Sequence, residues 1–179
     1  MKSKKAIHRL KYLIDINKVV FVAIMEPFID KNKIEGYKRF LGFQHGVTNP
    51  SGQIWCFCNS QCDPIVIAED DQQITLNIKD NMQDKGLYVT AIYAKCTTME
   101  RKDLWSSIVD INLLIDGPWC IGGDFNVIMD PEEKLGGKPH RAYKFFDFIT
   151  TMEACGFSDI SFTGPRFTWC NNRGLRKRI

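Results

Sequence analysis

Between residues 39 and 94 the sequence passes through five strand-like segments in succession, near 39–43, 54–59, 64–68, 73–79 and 87–94. The clearest is QITLNIK at 73–79, where Ile74, Leu76 and Ile78 alternate with Thr75 and Asn77. That is the two-residue period of a strand with unlike faces. LYVTAIYA at 87–94 is a second strong strand, and residues 80–86 between the two read as a hairpin connection. Successive strands with few helices favour an α+β chain over one that alternates strand and helix.

Helical patterns flank this run. Residues 4–17 (KKAIHRLKYLIDIN) carry Ile7, Leu10, Leu13 and Ile14 at helical spacing. Residues 99–115 place Leu104, Ile108, Ile111 and Ile115 on one face, and Gly117-Pro118 stops the helix. A third helix is expected over 141–155, with Phe145, Phe148, Ile149, Met152 and Cys155 inward and Gly156 as its C-terminal cap. VVFVAIM at 19–25 is rich in β-branched residues and reads as a strand buried on both faces. Residues 27–36 read as a polar connection, and RFTWCNN after Gly164-Pro165 as a strand-like close.

Composition narrows the class. Lys and Arg number 24 and Asp and Glu 21, a net charge of +3, which excludes a histone-like polycation and leaves room for a local phosphate-binding face. The longest apolar run, residues 19–25, is far too short to span a bilayer, and no apolar stretch follows MKSKK to make a signal peptide. The seven cysteines are odd in number and scattered, which argues against a disulfide framework and for a reducing compartment. Cys56, Cys58 and Cys62 cluster without a second Cys or His pair, so they read as strand and loop thiols more readily than as a zinc site.

Three features carry chemistry. Gly122-Gly123-Asp124-Phe125-Asn126 follows the apolar strand Trp119-Cys120-Ile121. Residues two apart in a strand share a face, so Asp124 and Asn126 point the same way and Phe125 the opposite way, and the glycines let a backbone or a phosphate approach. The same residues also suit a turn. Glu26 ends the apolar run of 19–25. A carboxylate there escapes to solvent, binds a basic neighbour or holds a cation. Tyr93 ends LYVTAIY and by itself reads as a core or rim tyrosine.

In this order the features resemble the exonuclease–endonuclease–phosphatase superfamily, and within it the apurinic-endonuclease-like domain of plant non-LTR retrotransposons. Supporting pieces are Gln73-Ile74-Thr75-Leu76, Leu104-Trp105, Phe145-Phe146-Asp147-Phe148-Ile149, Gly156-Phe157-Ser158-Asp159 and Gly164-Pro165-Arg166-Phe167-Thr168-Trp169-Cys170-Asn171. The resemblance runs from about residue 8 to residue 179. It implies a four-layer αββα sandwich of two mainly antiparallel sheets flanked by helices. It also implies hydrolysis of DNA phosphodiesters with Mg²⁺ or Mn²⁺, in an intracellular and nuclear setting. Glu26 then matches the metal-binding glutamate and Asp124 the aspartate that orients or deprotonates the attacking water. Asn126 matches the asparagine that bonds the scissile phosphate, and Tyr93 the phosphate-contacting tyrosine.

The sequence departs from that pattern at both ends. The family's first strand, with an asparagine often inside Trp-Asn-x-Arg-Gly, has no counterpart before residue 8. Its Asp-Arg strand and its Ser-Asp-His ending, whose histidine is catalytic, have none up to Ile179; His8, His45 and His140 match neither position. Residues 1–179 are therefore expected to form a partial domain with impaired activity. Two alternatives accompany that reading. One is an inactive retroelement-derived remnant or nucleic-acid-binding module; the other is a phosphatase-type member acting on small phosphoesters. The basic end, Arg173, Arg176, Lys177 and Arg178, reads either as a DNA contact or as a solvated terminus.

Overall fold

The computed structural model describes residues 3–80, 86–136, 145–160, 163, 164 and 167. They fall into two compact units, Met1–Ala94 with Leu114–Phe125, and Lys95–Leu113 with Asn126–Ile179.

Helix α1 (Lys4–Asn17) occupies the span its periodicity predicts. Ile7 and Ile14 are buried, but Leu13 is exposed, so the inward stripe is narrower than the spacing suggested. The helix ends at Lys18, whose left-handed backbone returns its N–H to the carbonyls of Ile14 and Asp15. Strand β1 (Phe21–Met25) follows. A 3-10 turn at Lys31–Lys33 then leads into helix α2 (Ile34–Leu41). Asp30 starts that turn by accepting the Asn32 N–H at 2.8 Å. This corrects two expectations. Residues 27–36 are more than a polar connection, and 39–43 is not a strand. Ile34, Tyr37 and Leu41 lie three and four residues apart and pack into one cluster, and Gly42 ends the helix at φ 88°.

Strands β2 (His45–Thr48), β3 (Ile54–Cys58), β4 (Cys62–Glu69), β5 (Gln73–Asp80), β6 (Leu87–Tyr93) and β7 (Trp119–Asp124) complete the sheets. One sheet runs β1-β3-β2 and is antiparallel. The other runs β4-β5-β6-β7, antiparallel except for the parallel β6–β7 pair. The β5–β6 pairing bears out the hairpin; residues 81–85 of its connection lie outside the described residues. Strand β1 is half-buried along its length and not buried on both faces, because it is an edge strand paired only with β3 among the described residues.

Strand β3 explains how the layers join. Its residues Ile54, Cys56 and Cys58 pack with Ile74, Leu76, Ile78 and Ala91 of the other sheet, which makes the sandwich core. Trp55 and Phe57 point the other way and pack with Ile7, Ile14, Leu41 and Phe43 beneath the helices. A strand buried on both faces needs apolar side chains at every position, and IWCFC supplies them. The result is an α+β sandwich, as expected. Cys56, Cys58 and Cys62 are buried thiols of this core.

The outward face of β5 is polar yet buried. Gln73 donates to Asp70 at 3.1 Å, Thr75 bonds Gln73 at 2.9 Å and Thr90 at 2.8 Å, and the Trp119 indole donates to Thr90 at 2.8 Å. Buried polar groups are costly unless paired, and this ladder pairs Gln73, Thr75 and Thr90, whereas the buried Asn77 Oδ1 on the same face has no hydrogen bond among the described residues.

The second unit contains α3 (Arg101–Asn112) and α4 (Phe146–Ala154). Leu104, Ile108 and Ile111 are buried as predicted, and Trp105 stacks on Phe148 with ring centroids 5.3 Å apart. Gly156, at φ 71°, follows the last turn of α4, and the Phe157 N–H returns to the Met152 carbonyl at 2.9 Å. Phe148 and Met152 are buried, whereas Ile149 and Cys155 are only half-buried. Arg101 is 4% exposed and donates to the carbonyls of Lys95 and Cys96 at 3.0 and 2.9 Å, which ties down the chain entering α3. Residues 141–144, the segment 168–172 and the basic group Arg173, Arg176, Lys177 and Arg178 lie outside the described residues, as does His140.

Candidate active site

Three strand ends of the sandwich carry the sequence-predicted side chains. Glu26 is the first residue after β1, Tyr93 is the last of β6 and Asp124 the last of β7. The Tyr93 hydroxyl donates to the Glu26 carboxylate, joining the two sheets across 67 residues of sequence. A hydrogen bond to an ionised carboxylate is among the stronger kinds. In the parallel β6–β7 pair, Tyr93 and Asp124 are register partners, and the Ala94 N–H donates to the Asp124 carbonyl at 2.8 Å. Tyr93 thus stands bonded to one carboxylate and beside the strand position of the other.

The backbone here is unusual. Glu26 has φ 50° although it precedes a proline, where an extended conformation is preferred. Its N–H is held by the Gln53 carbonyl at 2.9 Å. Phe28, two residues on, has φ 53°. Left-handed backbone costs a non-glycine residue roughly 1–2 kcal/mol, and such departures collect at functional sites. Gln53, which steadies Glu26 through its main chain, has no side-chain signature by which the sequence could have announced it.

The two glycines before Asp124 play unequal parts. Gly123 has φ 142°, and a Cβ there would fall on the Ile92 backbone and within 2.8 Å of the Met25 methyl. Nothing lies within 4 Å of the position a Gly122 Cβ would take. Close approach therefore requires the second glycine only. That contact brings β7 against the ends of β1 and β6, which is what places Asp124.

Asn126 does not share a strand face with Asp124. Strand β7 ends at Asp124, and Asn126 has φ 48°, so the two-residue alternation stops before reaching it. It is exposed and begins the second unit. Asparagine tolerates left-handed backbone better than most residues, which suits this turn. His8 is exposed on α1, and His45 is half-buried in β2.

Glu26 and Asp124 offer hard carboxylate oxygens. That donor set suits Mg²⁺ or Mn²⁺, which commonly take one or two carboxylates and complete their shells with water and phosphate. Among the described residues no group of three or more His, Cys, Asp and Glu side chains is placed to hold a metal ion, so a two-carboxylate site is the most these residues supply. No helix of the described residues is long and apolar enough to cross a membrane.

No family model matches the sequence, and no curated protein matches it. Solved structures do. The chain is similar to the endonuclease domain of TRAS1, a telomere-specific non-LTR retrotransposon, at 15% identity and TM-score 0.66, covering 99% of this chain and 76% of that one. It is similar to a β-hairpin deletion mutant of beta toxin from Staphylococcus aureus at 13% identity and TM-score 0.59, covering 90% of this chain and 68% of that one. A functionally unknown conserved protein from Enterococcus faecalis V583 matches at 14% identity and TM-score 0.50 over 68% of this chain, which spans 58% of that protein's length. These likenesses establish the fold, which is of the exonuclease–endonuclease–phosphatase type.

Proposed function

We propose that this chain is the phosphodiester-hydrolysing part of a divalent-metal-dependent endonuclease acting on DNA. The observation that carries the proposal is the Tyr93 hydroxyl bonded to Glu26 at the end of one sheet, with Asp124 registered beside Tyr93. The resemblance to retrotransposon endonucleases and the likeness to the TRAS1 endonuclease domain support the choice of DNA.

Glu26 would hold the ion. When bound, a divalent cation polarises the phosphate and stabilises charge on the leaving oxygen. Asp124 aligns a water for attack on phosphorus and accepts its proton. The new P–O bond forms to the water oxygen while the bond to the leaving oxygen breaks, and that oxygen takes up a proton from solvent water. Tyr93 fixes the aim of Glu26 through its O–H. Asn126 presents an amide N–H, a neutral donor whose bond to a phosphate oxygen strengthens as negative charge builds.

The test has two readouts. Mg²⁺ should raise the melting temperature of the chain, since an ion that binds only the folded state stabilises it. Glu26→Gln should remove that shift. Plasmid nicking in Mg²⁺ should fall at least a hundredfold in Asp124→Ala, in line with loss of a general base. A melting temperature indifferent to Mg²⁺, together with nicking unchanged in Asp124→Ala, would refute the assignment.

A further inference from the structure

The charge of this molecule is unevenly spread. Residues 3–42 hold nine Lys and Arg against four Asp and Glu, and the rest of the sequence holds fifteen against seventeen. The helical layer of the first unit is thus basic, although the whole chain is only +3. Among the described residues, two ion pairs occur in this layer, Lys11–Asp15 at 2.6 Å and Lys38–Glu35 at 2.7 Å. Lys4, Lys5, Arg9 and Arg39 are exposed and form no ion pair among the described residues.

Two exposed rings lie among these cations. Phe40, 42% exposed on α2, meets the edge of His8 on α1 at 5.1 Å between centroids, which brings the start of α1 to the end of α2. Tyr12, 53% exposed, carries the Arg9 guanidinium 5.5 Å above its ring. Neither ring is needed to fill the core beneath the helices. The inward positions are already filled by Ile7, Ile14 and Leu41. Cations interleaved with exposed aromatic faces are the chemistry that holds a nucleic-acid strand: phosphates meet the cations and unstacked bases lie on the rings.

We propose that the α1–α2 face binds single-stranded nucleic acid without sequence preference, through Lys4, Lys5, Arg9 and Arg39 on the backbone and Tyr12 and Phe40 against bases. This surface uses none of Glu26, Tyr93, Asp124 or Asn126, and it stands whether or not the chain cleaves DNA.

Fluorescence anisotropy of a labelled single-stranded oligonucleotide, in EDTA, tests it. The 179-residue chain should bind, with affinity that falls steeply as salt rises from about 50 to 200 mM. Lys5→Glu with Arg9→Glu should weaken binding at least tenfold and flatten the logarithmic salt slope by about 1.4. Lys79→Glu with Lys102→Glu, an equal change of charge elsewhere, should cost far less. Tyr12→Ala should weaken binding several-fold with the slope unchanged. Melting curves check that each variant is folded. Absence of binding at low salt, or equal losses in the two reversed pairs, would overturn the proposal. So would capture of the chain by phosphatidylserine vesicles without binding to the oligonucleotide. Because the assay contains no divalent ion, its failure is separable from a failure of the nicking experiment.

Discussion

Strand β3 and the strand ends around Glu26 belong to one sandwich, and the sequence treats them differently. Along β3 all five residues are buried and alternate between the inter-sheet core and the layer beneath the helices. At the ends of β1, β6 and β7 the residues are Glu26, Tyr93, Gly123 and Asp124, half-buried or exposed. Of the four non-glycine residues with positive φ among those described, Glu26 and Phe28 follow β1 and Asn126 follows β7. The middle of the sandwich is regular and apolar, and the irregular backbone gathers at one rim. A packed core can hold neighbouring residues in costly conformations, because shifting them would disturb close-packed contacts. The difference teaches that polar strand ends here are held by the core and do not hold it.

The largest expected effect tests that dependence where core and rim meet. Gly123→Ala should destabilise the chain by about 3 kcal/mol, since the new methyl meets backbone that cannot yield and the residue keeps a left-handed φ. Gly122→Ala, one residue earlier and facing open space, should change stability by less than about 0.5 kcal/mol. Urea unfolding of the two variants decides the matter. Equal effects would mean that β7 does not press against the ends of β1 and β6 as described.

A middle-sized effect sharpens the core side of the comparison. Burial, with the charge of Cys58 adding to it, pushes the Cys56 thiol up to about 12 from its ordinary 9.0. Burial does the same for Cys58, with smaller contributions from Cys62 and Asp63, again to about 12. The folded chain therefore keeps protons that the unfolded chain gives up. Stability from these thiols is complete below pH 9 and is lost as pH rises from 9 towards 12. The loss is on the order of 1 kcal/mol per pH unit for Cys56 and smaller for Cys58. Unfolding in urea with reductant, from pH 8 to 10.5, should show the decline, and Cys56→Ala should make it shallower. A slope unchanged by that substitution would mean that Cys56 is not sealed in the core.

How far the sequence revealed this architecture varied with what each signal depends on. Helix α1 was legible to its end residues because its period is strong, and β5 and β6 because their alternation or β-branched content is plain. Helix α2 was hidden: in its eight residues Ile34, Tyr37 and Leu41 stand among three charged residues, a glycine and the outward Phe40. The burial of β1 was over-read because an apolar run does not say how many partners a strand has. Glu26, Tyr93 and Asp124 came from order along the chain, and the hydroxyl bond from Tyr93 to Glu26 gives two of them a physical link. Asn126 was placed on a strand face by counting, which fails once a residue takes positive φ.

The smallest effect is the one whose sign separates rim from core. Glu26 sits at φ 50°. Glycine accepts that backbone freely, so Glu26→Gly relieves roughly 1–2 kcal/mol of conformational cost. Against this stands the greater freedom glycine loses on folding, roughly 0.5–1 kcal/mol. The Tyr93 hydroxyl also loses its partner, but Tyr93 is half-exposed and water can replace the carboxylate. The balance leaves a gain of at most about 1 kcal/mol, which for a chain this long raises the melting temperature by about 2–4 °C. Glu26→Gln keeps the left-handed residue and an acceptor for Tyr93, so it isolates the loss of charge from the relief of the backbone. Both variants should lose the Mg²⁺-dependent rise in melting temperature, and only the glycine variant should melt as high as the parent or higher in EDTA. A fall of several degrees in Glu26→Gly would show that Glu26 braces the junction of the sheets, and the contrast between a supporting core and a supported rim would fail at the residue on which it most depends.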